Sequence, residues 1–202
     1  MINKVSRSQA GSHPPLTMQK AAAHFATITH HKMLVCEGCW KVGLLRQGLL
    51  HDLSKYSPTE FLVGARYYQG DRSPNNAERE DIGYSTAWLH HKGRNRHHYE
   101  YWIDYSTRAS EGNGRVGIMP AKMPGRFVVE MFMDRIAACK VYRGADYTDA
   151  DPWNYYSQGD TAQFLHPETA RLIEHLLKML RDRGEEETFA YIRRHLHKRK
   201  LQ

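Results

Sequence analysis

The sequence predicts an all-α fold. Apolar residues recur at three- and four-residue steps over most of the chain, as in Ala22, Phe25, Ile28, Thr29 and Val35. No convincing alternating strand pattern interrupts them. Helix-start signals recur as well, with SPTE at residues 57–60 the clearest. The 202 residues suffice for one compact domain with a real core.

The elements follow in order. Residues 1–16 are polar, lack the apolar stretch of a secretory leader, and read as a disordered tail ahead of a single helical domain, 17–202. A helix is predicted from Met18 to about Cys36, with His24, Ile28, His31 and Val35 on one inward stripe. Gly43 interrupts it, and a short helix then carries LLRQGLLHDL. Ser57 suits an N-cap, Pro58 the first helical position, and Glu60 would complete a capping box for a helix through FLVGARYY. QGDRSPNN is a loop, Glu78 to His91 a helix, and HYEYWIDY a further helix beyond a polar turn. Residues 109–125, rich in Gly and Pro, form an irregular segment that could fold over a site. A strong helix spans Arg126 to Arg143, DPWNYY opens another element, and the last two helices cover Pro167–Arg183 and Glu185–His197.

Composition narrows the function classes. Apolar content is 41% and charged content 25%, ordinary for a globular chain. No apolar run approaches the ~20 residues that cross a bilayer. Three cysteines cannot all pair within the chain, and with no secretory leader a reducing cytoplasm is expected. The CEGC pair at Cys36 and Cys39 has no second pair, so reduced core cysteines are expected there. The net charge of +7 favours anionic partners, small phosphorylated molecules such as nucleotides before nucleic acid. The basic run RRHLHKRK reads as a solvated helix end.

Histidine is abundant at 13 residues and several are doubled: His30-His31, His90-His91, His97-His98. Imidazole plus carboxylate is the natural ligand set for a borderline divalent metal. The chain offers inward His31, then His51-Asp52, then His90 or His91, then Asp134 in an otherwise apolar helix, where an unpaired charge would be costly. His24, His97, His98 and Glu130 are possible further ligands or their supports. His13, His166, His175, His195 and His197 read as packed or surface residues.

That order resembles the HD-domain metal-dependent phosphohydrolase superfamily. His31 followed by Val35 and Gly43 is similar to the family's first helix. GLLHDLSK looks like its apolar-apolar-His-Asp-x-x-Lys motif, with Lys55 on the lysine. HHKGRNRHH resembles the doubled histidines of the binuclear branches, and Asp134 matches the distal aspartate. The resemblance spans residues 24–143 and is closest to a small HD-like family of bacteria and phages. His31 lies nearer the His-Asp pair than the family's usual spacing, which His24 would restore; His31 is preferred because Val35 and Gly43 follow it. The Gly-Tyr-Pro signature of the cyclic-dinucleotide branch is absent after His91.

The resemblance implies an HD-like bundle with a metal site between helices. It implies one or two divalent ions (Mn, Fe, Ni, Co or Zn) held by His31, His51, Asp52, His90 or His91, and Asp134. It further implies hydrolysis of a nucleotide or other small phosphate ester by a metal-activated water, with Asp52 and Lys55 catalytic. Lys55 would hold a substrate phosphate oxygen, and Arg94 and Arg96 either grip a second phosphate or are simply loop charges. Two alternatives are a di-iron HD-type oxygenase and a non-catalytic, metal-stabilised module that binds RNA or protein.

Overall fold

The computed structural model describes residues 13–106 and 117–196. It is an α-helical bundle of α1 Met18–Lys41, α2 Leu45–Leu50, α3 Pro58–Arg66, α4 Pro74–Ile82, α5 Thr86–Lys92, α6 Gly125–Arg143, α7 Asp151–Gln158 and α8 Pro167–Leu196. Two two-residue strands, β1 Ile103–Asp104 and β2 Met119–Pro120, pair antiparallel with Ile103 opposite Pro120.

α6 is the axis of the core. Val128, Val129, Met131, Phe132, Met133, Ile136 and Ala137 are all buried. An apolar surface on every side demands partners on every side. α1 supplies Val35 and Cys39, and α8 supplies Ile173, Leu176, Leu177, Leu180, Phe189 and Ile192. Glu130 and Asp134 are therefore carried through the middle of an apolar bundle, where they need compensation.

α1 begins at Thr17, whose side chain accepts the Lys20 N–H, and runs five residues past the expected end. The predicted inward stripe is correct, since His24, Ile28, His31 and Val35 are all buried. The sequence reads residues 1–16 as a polar tail, and residues 13–16 carry no regular secondary structure. His13 already lies 3.0 Å from the Tyr67 hydroxyl and 3.2 Å from Asp81. Residues 1–12 of that tail lie outside the described residues, as do 107–116 of the irregular segment and the end of the basic run from 197. Where it resumes, the irregular segment leads to buried Met123, whose N–H donates to Thr169 Oγ1 on α8.

Several expected elements are corrected. The Glu78–His91 helix is two helices, because Gly83 takes a left-handed conformation (φ 86°) and Ser85 caps a new start by accepting the Trp88 N–H. α4 also begins earlier than expected, at Pro74. HYEYWIDY is not a helix but a short 3-10 turn, Tyr99–Trp102, running into β1. The short helix expected over LLRQGLLHDL stops at Leu50, before the His-Asp pair. The last two helices form as expected, separated by a break at Gly184 (φ 79°).

Candidate metal centre

Asp52 owes its position to a sharp turn. α2 ends at Leu50, and Lys32 of α1 reaches across to donate to the Leu49 and His51 carbonyls at 2.6 and 2.9 Å. These are orphaned carbonyls of a helix end, and a lysine suits them. Asp52 then takes φ 53°, the one positive φ outside glycine among the described residues. A non-glycine residue in this region carries strain that its surroundings must compensate. The turn swings both side chains inward, and His51 and Asp52 are almost completely buried.

Two groups of ligand-type atoms meet there. His31, His51, Asp52 and Asp134 form the first, and Asp52, His91, His97 and His98 the second. Within each, one atom per residue lies within 4.8 Å of the others, an arrangement that could hold a metal ion. In the first, His31 Nε2 lies 2.9 Å from Asp134 Oδ1, and His51 Nε2 lies 3.3 Å from Asp52 Oδ2 and 3.6 Å from Asp134 Oδ1. In the second, His91 Nε2 and His97 Nε2 lie 3.2 and 3.3 Å from Asp52 Oδ1, and His98 Nε2 lies 2.8 Å from His91 Nε2. Asp52 thus turns one oxygen to each group.

The donors fit a metal on their own chemistry. His51 Nε2, His97 Nε2 and both Asp52 oxygens are buried with no partner at hydrogen-bond geometry. Asp52 Oδ2 has the Lys55 ammonium at 2.6 Å, whereas an unpaired buried atom such as His97 Nε2 costs about 1–3 kcal/mol. All four are lone-pair donors that meet around Asp52, where a cation in either group would satisfy that group's members.

Carboxylates behind the imidazoles set which nitrogen faces inward. Glu130 Oε1 lies 3.1 Å from Nδ1 of both His51 and His97, and its Oε2 accepts from Gln47 at 3.0 Å. Protons held on the two Nδ1 atoms leave both Nε2 lone pairs free. A third group, His51, His97 and Glu130, could also hold a metal, but through these opposite ring nitrogens. The support role leaves the Nε2 atoms to the first two groups. Glu60 does the same for His91, its carboxylate lying 2.8 Å from His91 Nδ1 and 2.6 Å from His90 Nδ1.

Electrostatics follow from this packing. Burial opposes charge on His51, yet the carboxylates of Asp52, Asp134 and Glu130 hold its pKa well above the usual value. Burial likewise opposes charge on Asp52, but His51, Lys55 and His91 hold its carboxyl well below its usual range. Glu130 is drawn down to about 2 against its burial by His51 and His97. His98 goes the other way, lowered by burial and by neighbouring His97 and His91. Lys55 Nζ sits 2.6 Å from Asp52 Oδ2.

The expected residues divide as follows. His31, His51, Asp52, His91 and Asp134 are brought together, joined by His97 and His98 as full members. His90 lies outside these groups, paired with Glu60. His24 is also outside, its ring packed against Phe61 and Tyr68. Arg94 donates to the His90 carbonyl, and Arg96 lies over the Tyr101 and Phe127 rings, so neither is part of the cluster. Glu60 was assigned to a capping box, yet Ser57 makes no side-chain cap and the carboxylate turns inward. Its burial on a helix facing two histidines is the signal that could have found it, and that signal is tertiary. Cys36 and Cys39 are free thiols, Cys39 buried with its pKa pushed up, as expected for core cysteines.

Fold and site together define a class: an all-α protein with a buried histidine–carboxylate cluster able to hold metal. The chain belongs to a family of unknown function, DUF5662, whose model matches residues 20–179 and so includes every residue of the cluster. No curated protein and no solved structure matches it. No helix among the described residues is long and apolar enough to cross a membrane.

Proposed function

We propose that this protein is a metal-dependent phosphohydrolase that cleaves a nucleotide or another small phosphate ester with an activated water. One observation carries the reading. Asp52 is a buried carboxylate whose two oxygens face two separate histidine-rich groups, with a lysine ammonium beside it. The order of the cluster, His31, His51-Asp52, three later histidines and Asp134, is also that of the HD-domain resemblance.

A divalent ion, when bound, supplies an acidified water and polarises a phosphoryl oxygen. Manganese, iron, nickel, cobalt and zinc all suit imidazole and carboxylate. The chain's own residues do the rest. Glu130 and Glu60 keep His51, His97 and His91 oriented with Nε2 inward. Asp52 divides its two oxygens between the groups. Lys55 has three donors and no lone pair, so it serves the negative charge of the substrate and not the metal. Asp134 and His98 are partly exposed while the other members are buried, which leaves the cluster reachable from their side.

The same shared carboxylate supports a second reading, a di-iron oxygenase, because it brings two groups side by side. Metal analysis of aerobically and anaerobically purified protein separates the two. Iron with a mixed-valence signal favours the oxygenase. For the hydrolase, metal-loaded protein should release phosphate from a panel of nucleotides and phosphomonoesters. Lys55→Ala should keep its metal and lose about tenfold to a thousandfold in turnover. Metal-loaded protein that cleaves nothing on the panel would end the hydrolase reading in favour of the oxygenase or a binding module.

A further inference from the structure

α1 carries a second apolar face. Its inward side holds His24, Ile28, His31, Val35 and Cys39. About 120° round the helix lies a stripe of Met18, Ala22, Phe25, Thr29, Met33, Cys36 and Trp40, all within about 40° of the Thr29 direction. Met18 is 86% exposed, Phe25 51%, Met33 66% and Trp40 66%. Leu49 of α2 is exposed as well, and the Lys32 ammonium on its carbonyl, at 2.6 Å, keeps it beside the stripe.

The area is large for a surface left to water. Met18, Phe25, Met33, Trp40 and Leu49 together expose on the order of 700 Å². The largest apolar patch of a typical monomer is roughly 300–600 Å². Each partner of a standard stable interface gives up about 800 Å².

The spacing points to the occupant. The stripe advances by 4, 3, 4, 4, 3 and 4 residues, the same sequence of steps from either end about Thr29. Met18, Thr29 and Trp40 stand eleven residues apart, about 3.67 per turn, which keeps the stripe in line along a nearly straight helix. On a second copy laid antiparallel, with Thr29 at the two-fold axis, Met33 meets Phe25, Trp40 meets Met18, and Cys36 meets Ala22. Large side chains face large ones and small face small. Beside the stripe, Lys32 falls opposite Ala26 and Glu37 opposite Ala21, so this register sets no like charges against each other. Such a self-complementary contact closes after two copies.

We propose that the outer face of α1 is a dimer interface, in which the α1 helices of two copies pack antiparallel across Thr29 with Leu49 at the flank. The proposal does not depend on the hydrolase chemistry. It touches the metal centre only through α1, because a helix packed on both faces is held more firmly, and this one carries His31.

The test uses the full chain, with mass read by light scattering and sedimentation at micromolar concentration. Wild type should run at twice the 23.5 kDa of one chain. Met33→Glu buries a charge in both halves of the interface and should raise the dimer dissociation constant a hundredfold or more, with the helical circular dichroism kept. Should that variant not fold, Trp40→Glu should do the same. Tyr155→Glu, at a residue 69% exposed on α7, should leave the dimer intact. Mild oxidation of Thr29→Cys should give a covalent dimer, because the two copies of that position meet at the axis. Wild type should give none through Cys36, whose two copies stand about 21 Å apart along the helices. A wild-type monomer overturns the proposal and leaves the face to a different partner. A dimer that survives both Met33→Glu and Trp40→Glu overturns it too, as does a Thr29→Cys dimer that does not cross-link.

Discussion

Asp52 is a buried carboxylate on a left-handed backbone, within 3.3 Å of three imidazoles and one ammonium. Because each oxygen faces a different group, Asp52→Ala should lose metal from both. His31→Ala and His98→Ala should each lose metal from one. Elemental analysis after gel filtration checks this, and full stoichiometric metal in Asp52→Ala would place the ions elsewhere. Glu130 meets His51 and His97 at Nδ1, the ring nitrogens turned away from Asp52. Glu130→Gln is therefore expected to weaken metal binding by about 10–100-fold, whereas His90→Ala should leave it unchanged. His24 offers a pH test away from the ligands. Its folded pKa is about 4 against 6.5 for the free side chain, because burial and then Lys55 disfavour its charge. The unfolded chain binds a proton below pH 6.5 that the folded one refuses. Stability should thus fall between pH 6.5 and 4, by as much as about 3 kcal/mol from this group, and be insensitive to it above. Urea melts of wild type and His24→Phe across that range isolate the effect. Parallel pH slopes for the two proteins would refute it.

Elements matter here through where they stop. α2 ends one residue before the His-Asp pair, and its close approach to α1 aims that pair. A Cβ at Gly48 would sit 2.8 Å from the Cys36 Cα, a backbone atom that cannot swing aside. Gly48→Ala should consequently cost about 1–3 kcal/mol in chemical denaturation and lower metal affinity together, since the displaced helix carries His51. Loss of stability with metal affinity unchanged would show that α2 moves independently of the site. The break at Gly83 does similar work, because it lets Thr86–Lys92 start afresh at a new angle that presents His91 to Glu60 and Asp52. In Gly83→Ala the left-handed turn becomes strained, and fraying of α5 should appear as faster amide exchange at residues 86–92.

On the scale of the whole molecule, the cluster joins elements that are far apart in sequence. α1 supplies His31, the turn after α2 supplies His51 and Asp52, α5 and its following loop supply His91, His97 and His98, and α6 supplies Asp134. An ion bound there ties the bundle together and stabilises only the folded state. At a hundredfold excess over Kd this adds about 2.7 kcal/mol, or about 5–10 °C in Tm for a chain of this size. Chelation should lower Tm by that amount, with manganese or zinc restoring it, and Asp52→Ala should be indifferent to both. Circular dichroism should stay helix-dominated throughout.

The all-α class, the inward stripe of α1 and the candidate ligands His31, His51, Asp52 and Asp134 were legible in the sequence. Helical periodicity is local, and a charge or histidine on an apolar stripe announces itself without a partner. The role of Glu60 was not legible, because its local setting after Ser57 and Pro58 fits a helix start equally well. Nor was the choice among His90, His91, His97 and His98. That choice depends on the direction of α5 after Gly83 and on which imidazole then meets Asp52 across the bundle. Arg94 and Arg96 looked like phosphate ligands by proximity in sequence, and the turn sends them to other partners. Pattern along the chain determined which residues face inward. Only the packing of α1, α5 and α6 around one strained turn decided which of them meet, because side-chain convergence is set by helix ends and crossing angles that no local window contains.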